Sequence, residues 1–186
     1  LKRAVDIAGA LVGLVLLSPL FVGVAVAVML QDRGPALHWS RRVGRDERIF
    51  RMPKFRTMRL GTPDVATHLL AGPDQWVTPV GRFLRRTSLD ELPQLWSILK
   101  GDMSLVGPRP ALFNQDDLVA LRRAAGVAGL RPGLTGWAQI NGRDELPVAE
   151  KARLDAEYLQ RMSLMFDLQI MAATALAAIS GRGVTH

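Results

Sequence analysis

Two adjacent carboxylates, Asp90 and Glu91, stand just before Pro93 in "TSLDELPQLWSILKGDMSLVGPRP", residues 87–110. An ionised aspartate can serve as a nucleophile or as a ligand to Mg²⁺; a protonated one can do neither. Basic residues crowd the sequence on both sides. "GRFLRR" places Arg82, Arg85 and Arg86 upstream, "GPRP" places Arg109 between Pro108 and Pro110 downstream, and "KFRTM" (54–58) adds Lys54 and Arg56. Arginine forks match phosphate oxygens in bidentate geometry. The two prolines stiffen the backbone around Arg109, so little entropy is lost on binding an anion. Any one of these cations is ordinary surface charge. Gathered around an acidic pair, they are what a magnesium–diphosphate site requires.

The carboxylates need an element to hold them. A capping box over "SLDE", with Ser88 as the cap, conflicts with Pro93, whose ring would collide with the carbonyl of Leu89. A helix that begins at Asp90 removes the conflict, because Pro93 then falls in the first turn, where donors are unpaired anyway. This predicts a helix over about 91–100, ended by Gly101, with Asp90 at or beside its cap. The positive end of the helix dipole would then favour the ionised carboxylate. A plain capping aspartate is the competing reading.

Around this centre, "RRVGRDERIFRMPKFRTMRL" (41–60) reads as a β-hairpin turning at Gly-Arg-Asp. Residues 61–79 read as a loop, with room for a short helix at 64–70. Helical spacing recurs over 112–125, and "GLRPGLTGWAQINGR" (129–143) reads as a loop with short extended pieces. Pro147 to Met162 predicts an amphipathic helix with Ala149, Ala152, Ala156 and Leu159 on one side. Leu164 to Ile179 predicts an apolar helix too short to span a bilayer, lying in the interface plane or packed on the core. There is no internal repeat and no second domain.

Ile7 to Leu30 is a run of 24 residues without a charge, interrupted at its middle by Ser18-Pro19, where a kink is expected. Lys2 and Arg3 precede the run, and Arg33, Arg41, Arg42 and Arg45 follow it, so both ends carry the basic residues that favour the cytoplasmic side. A helix that bends and returns to the same face satisfies both flanks; a kinked spanning helix stays open beside it. A signal peptide would be shorter, and a core helix would show a polar face. The 186 residues fit one domain with a net charge of +7, which suits an anionic partner. Without cysteine there is neither disulfide nor thiol nucleophile, and His38, His68 and His186 are too scattered for a metal site. With 6% aromatics and no recognised module, nucleic-acid binding is disfavoured. Leu1 stands where a Met would begin a whole protein, which fits a piece of a longer chain.

Together these stretches resemble the bacterial sugar transferases, the monotopic polyprenyl-phosphate phosphoglycosyl transferases. The likeness rests on the apolar run with its central Ser-Pro, "KFRTM", "SLDELPQLW", "LKGDMSLVGPRP", "RPGLTGWAQINGR" and the "LDAEYL…SLMFDLQIM" tail, six blocks in order over nearly the whole chain. The resemblance implies an α+β, mostly helical fold spanning 1–186 as one catalytic domain. Residues 1–32 would be a re-entrant membrane helix broken at Ser18-Pro19, and 33–186 a cytoplasmic part at the membrane surface with amphipathic interfacial helices.

It also implies transfer of a sugar-1-phosphate from a UDP-sugar to undecaprenyl phosphate at the bacterial inner membrane, releasing UMP and starting glycoconjugate assembly. Mg²⁺ would be required, Asp90 would be the covalent nucleophile close to the metal, and Glu91 its partner. Lys54 and Arg85 would contact phosphate, and Pro108-Arg109-Pro110 would form part of the nucleotide site. Arg131, Asn141, Arg143 and Asp155 match other family positions, and a homo-oligomer is compatible with the reading. Ser40 stands where many members carry Gln, and Ser97 where Asn is common; these bear on local hydrogen bonding or sugar preference, not on the dyad. The competing functions are a non-enzymatic module that holds anionic lipid and a carboxylate-pair hydrolase. The hydrolase would leave the anion site and the apolar run without a role.

Overall fold

Ser18 and Pro19 bend the apolar run as their chemistry requires. In a computed structural model that describes residues 1–63, 72–142 and 146–180, the run forms helix α1 (Lys2–Leu16) and helix α2 (Ser18–Asp32), bent by 63°. Pro19 falls in the first turn of α2, where its missing donor costs nothing. The Ser18 hydroxyl donates back to the Val15 carbonyl at 2.8 Å, a bond that favours bending. Among the described residues no single helix is long and apolar enough to cross a membrane; the bent pair reaches that length only jointly. Ala10, Val24 and Val28 face the protein, while Leu11, Val12, Val15, Leu16, Val22 and Leu30 are exposed.

The expected hairpin is present but begins earlier, as β1 (Leu37–Val43) and β2 (Ile49–Phe55), antiparallel with Lys54 opposite His38. Its turn passes through Asp46 and Glu47, both with positive φ. The short helix expected at 64–70 lies outside the described residues. Beyond it come α3 (Pro73–Trp76) and α4 (Pro79–Thr87), then α5 (Gln94–Lys100), closed by Gly101 at φ 97° as predicted. Strand β3 (Ser104–Val106) leads into Pro108-Arg109-Pro110, and α6 (Asp116–Ala124) follows, shorter than the 112–125 expected. β4 (Gly133–Thr135) pairs parallel with β3, and the one-turn helix α7 (Trp137–Ile140) precedes α8 (Val148–Arg161) and α9 (Leu164–Ser180). The two strands meet so closely that a Cβ on Gly133 would lie 2.1 Å from the Gly107 nitrogen; only glycine fits.

Two apolar clusters join the bent helices to the rest. Ala10 packs with Met52, Leu95, Ile98 and Met103, and Val24 and Val28 pack with Phe55 and Leu84. A polar seam adds to the first. Lys2 donates to Asp167 at 2.6 Å and to the Val106 carbonyl at 3.0 Å. Tyr158 donates to the other Asp167 oxygen at 2.7 Å, and Asp6 accepts from the Ser104 hydroxyl and the Leu105 amide, both at 2.9 Å. Arg3 donates to the carbonyls of Ile98 and Leu99 at the end of α5. The basic residues flanking the run thus also bind protein.

The buried face of α8 differs from the alanine stripe expected. Ala152, Leu154, Asp155 and Tyr158 are buried and Ala149 is exposed, because Asp155 and Tyr158 find buried polar partners that a pattern of apolar residues does not reveal. On α9, Phe166 and Ile170 pack on Val106, whereas Met165, Leu168 and Leu176 are exposed. This is the packed arrangement for one face of the helix.

Candidate active site

Asp90 does not cap a helix. It lies in a 3₁₀ turn, Leu89–Glu91, entered from Ser88 at φ 57° and leading through Pro93 into α5. Pro93 explains the tightening. It has no N–H to give Leu89, whose carbonyl instead accepts from Leu92 at 3.3 Å, while Glu91 donates to Ser88 at 3.2 Å. Asp90 therefore stands in a short turn that runs into α5, not at the cap of a regular helix. The apolar neighbours of the dyad, Leu89 and Leu92, pack against the cluster of Val24, Val28, Phe55 and Leu84.

Three predicted cations converge on the pair. Lys54, from the end of β2, donates to Glu91 Oε1 at 2.8 Å and stands 3.8 Å from Asp90 Oδ2. Arg109 donates to the same Glu91 oxygen at 3.0 Å with its side chain 36% exposed. Arg85 faces the dyad from α4: its Nε donates to Thr57 Oγ1 at 3.0 Å and its charge bears on Asp90. Pro108 and Pro110 are buried and fix the loop that carries Arg109.

The two carboxylates differ in charge balance. Burial raises the Asp90 carboxyl above the ordinary aspartate value; Lys54, Arg85 and Arg109 oppose this, and the neighbouring Glu91 charge adds to it. Burial acts on Glu91 in the same direction. There the charges of Arg109 and Lys54, with hydrogen bonds from both, outweigh it and hold the carboxyl far below its ordinary value. Glu91 is a fixed anion that orders two cations, and Asp90 is a buried carboxylate less fully compensated.

Other predicted residues stand elsewhere. Arg56 turns to the end of α2, bound to Asp32 at 2.8 Å and to the Pro35 carbonyl at 2.9 Å, because the strand ends at Phe55 and the chain folds back there. Arg82 and Arg86 are exposed on α4, on the side away from buried Gly81 and Leu84. Arg131 donates to the Gly101 carbonyl at 2.9 Å, and Asn141 to the Trp137 carbonyl at 2.8 Å; both brace helix ends. Arg143 lies outside the described residues. Ser40 is buried and accepts from Arg42 at 3.0 Å, and Ser97 is buried in α5.

Asp155, 1% exposed, accepts from Arg122 at 2.8 Å. Sequence reasoning missed Arg122. Its signal is the i, i+4 spacing from buried Leu118, which turns Arg122 inward while Arg123 faces out.

Among the described residues no group of three or more acidic or histidine side chains could hold a metal by itself. Mg²⁺ commonly takes one or two protein carboxylates and completes its shell with water and substrate phosphate. Asp90, 3.8 Å from Lys54, fits such a shared site, while Glu91 is engaged by Lys54 and Arg109.

A family model described as bacterial sugar transferase matches residues 1–181. The chain is 41% identical to the UDP-glucose:undecaprenyl-phosphate glucose-1-phosphate transferase of Escherichia coli (strain K12), over 94% of this chain and 39% of that protein. It is 39% identical to the exopolysaccharide production protein ExoY of Rhizobium meliloti (strain 1021), over 98% of this chain and 87% of that one. It is 38% identical to the undecaprenyl-phosphate glucose phosphotransferase of Komagataeibacter xylinus, over 97% of this chain and 36% of the relative. The chain thus spans about two fifths of the length of the first and third, and most of ExoY. It belongs to the bacterial sugar transferase family.

Proposed function

We propose that this member of the family transfers a sugar-1-phosphate from a UDP-sugar to undecaprenyl phosphate through a covalent intermediate on Asp90. The observation that carries the reading is the geometry of the pair: Asp90, buried and 3.8 Å from Lys54, beside a Glu91 that hydrogen-bonds Lys54 and Arg109, with Arg85 facing from α4. An Asp90 oxygen attacks the β-phosphorus, and the bond from that phosphorus to the bridging oxygen breaks, releasing UMP. The second pKa of the leaving phosphate is about 6, so it departs with little need of a proton. A phosphate oxygen of the lipid then attacks the same phosphorus, and the bond to Asp90 breaks. Lys54, Arg85 and Arg109 are placed to neutralise charge on the transferred group. Asp90 is the residue that would hold Mg²⁺, which would supply further charge neutralisation.

A membrane location is supported by the same elements. The bent pair exposes apolar residues along both halves, and Leu89 and Leu92, on either side of the dyad, pack against the cluster that Val24 and Val28 of α2 form with Phe55 and Leu84. Entry of α1 and α2 into one leaflet, with both ends on the cytoplasmic face, would set the dyad at the depth of a lipid phosphate. Purified protein given a panel of UDP-sugars, undecaprenyl phosphate and Mg²⁺ is expected to release UMP with one of them. Salt-sensitive liposome binding that is indifferent to neutralisation of Asp90 and Glu91, with no UMP from any sugar, would favour a membrane-binding module instead. For topology, cysteines introduced at Lys2 and Gln31 should both resist an impermeant thiol reagent on intact cells; labelling of one alone would mean a spanning helix.

A further inference from the structure

Arg109 binds Glu91 through its side chain, and its backbone carbonyl is held from α6. Arg122 Nη1 donates to the Arg109 carbonyl at 2.9 Å, while its Nε and Nη2 grip one oxygen of Asp155, at 2.8 and 2.6 Å. The guanidinium is thus divided, two nitrogens fixed by α8 and the third turned to the loop. Asp155 is fully buried, and the Arg122 side chain is only 12% exposed. A pair that merely joined α6 to α8 would not need the third nitrogen placed on the carbonyl of a residue whose side chain binds Glu91. A second guanidinium supports the next peptide, since Arg42 donates to the Pro110 carbonyl at 3.2 Å.

We propose that Arg122, oriented by Asp155, is a positioning residue that sets Arg109 toward the diphosphate of the donor nucleotide. The inference rests on the transferase reading above. A planar fork can satisfy Asp155 and the carbonyl together; a lysine ammonium on a flexible stem cannot hold both in one geometry. Arg122→Lys should therefore keep the buried ion pair and loosen the loop.

A double-mutant cycle on nucleotide affinity tests this. Titration calorimetry with UDP and Mg²⁺ is expected to show Arg122→Lys weakening UDP about 10-fold in the otherwise unaltered protein, the effect of one charge-assisted hydrogen bond. In an Arg109→Ala background the same change should weaken UDP less than about 2-fold. Asp155→Asn, which keeps the side chain's shape, should repeat the pattern. The stoichiometry reports the folded fraction, so a merely structural defect lowers the number of sites and leaves the dissociation constant in place. Equal weakening in both backgrounds, or none in either, overturns the relay while leaving the transferase reading standing. An unaltered protein that neither binds UDP nor releases UMP refutes the transferase reading instead.

Discussion

Two ionic clusters are attached to the short segment from Ser104 to Pro110, and they are built to opposite plans. In the seam at its start, Lys2, Asp6 and Asp167 each have a partner at hydrogen-bond distance, and Tyr158 donates to Asp167. In the cradle at its end, Lys54 and Arg109 converge on one oxygen of Glu91, and Asp90 is left 3.8 Å from Lys54. The first cluster is saturated and can only hold things together. The second is uneven, and on the proposed mechanism the unevenness leaves Asp90 as the carboxylate that reacts. Buried polar groups are costly unless satisfied, so a buried carboxylate set among three cations without a matching hydrogen bond among the described residues is a candidate for function.

The largest contrast should come from Asp90→Asn, nearly isosteric but a poor nucleophile. Turnover should fall by about 10³-fold or more. The stability sign is the reverse of the usual aspartate case. The folded-state pKa of Asp90 lies above its ordinary value, so the ionised form costs stability at neutral pH, and Asn removes that cost. Thermal denaturation should show a melting point equal to or higher than that of the unaltered protein; a marked fall would place Asp90 in a saturated network like the seam.

Arg85→Lys comes next. It keeps the charge near Asp90 and loses the fork whose Nε is fixed by Thr57. Loss of a charge-assisted hydrogen bond felt fully in the transition state corresponds to on the order of 10- to 150-fold in rate. Steady-state kinetics with membrane association unchanged would confirm it, and unchanged kinetics would remove Arg85 from the site.

Glu91→Gln separates the two carboxylates by stability. The folded pKa of Glu91 is lowered, so its contribution is present above its ordinary value of 4.5 and is lost as pH falls through the folded value. Denaturation at neutral pH should show a loss of about 1.5–3 kcal/mol that shrinks in acid. The smallest effect on activity belongs to the seam. Asp167→Asn should cost a similar stability, about 1.5–3 kcal/mol, yet leave the turnover of folded molecules within about 3-fold. A large loss of turnover per folded molecule would erase the distinction between the clusters.

Much of this was legible in the chain because the signals are local. Ser18-Pro19 announces its bend through a missing donor, Gly101 its helix end through a left-handed backbone, and Lys54, Asp90, Glu91 and Arg109 their pairing through opposite charge. What escaped was set by distant contacts. Strands β3 and β4 have three residues each, too few for any alternation to register, and their parallel pairing joins positions nearly thirty residues apart. Charge type also does not say where a long side chain will turn. Arg56, Arg131 and Asn141 carry site-like chemistry and brace carbonyls or helix ends, while Arg122, one of two adjacent arginines on a helix, reaches the loop. The 3₁₀ turn was half visible: Pro93 excludes a helix through Ser88, but only the bonded partners show that the chain tightens rather than restarting at Asp90.

Whether Asp90 carries the phosphosugar decides between a covalent and a direct transfer. Intact-protein mass spectrometry of the chain with its UDP-sugar and Mg²⁺, and no lipid, gives the most direct reading. The protein should gain the mass of one sugar phosphate, in near one-to-one proportion to UMP released, on the peptide containing Asp90, and lose it when undecaprenyl phosphate is added. An adduct on another peptide, or full turnover in Asp90→Asn, would contradict the covalent route through Asp90.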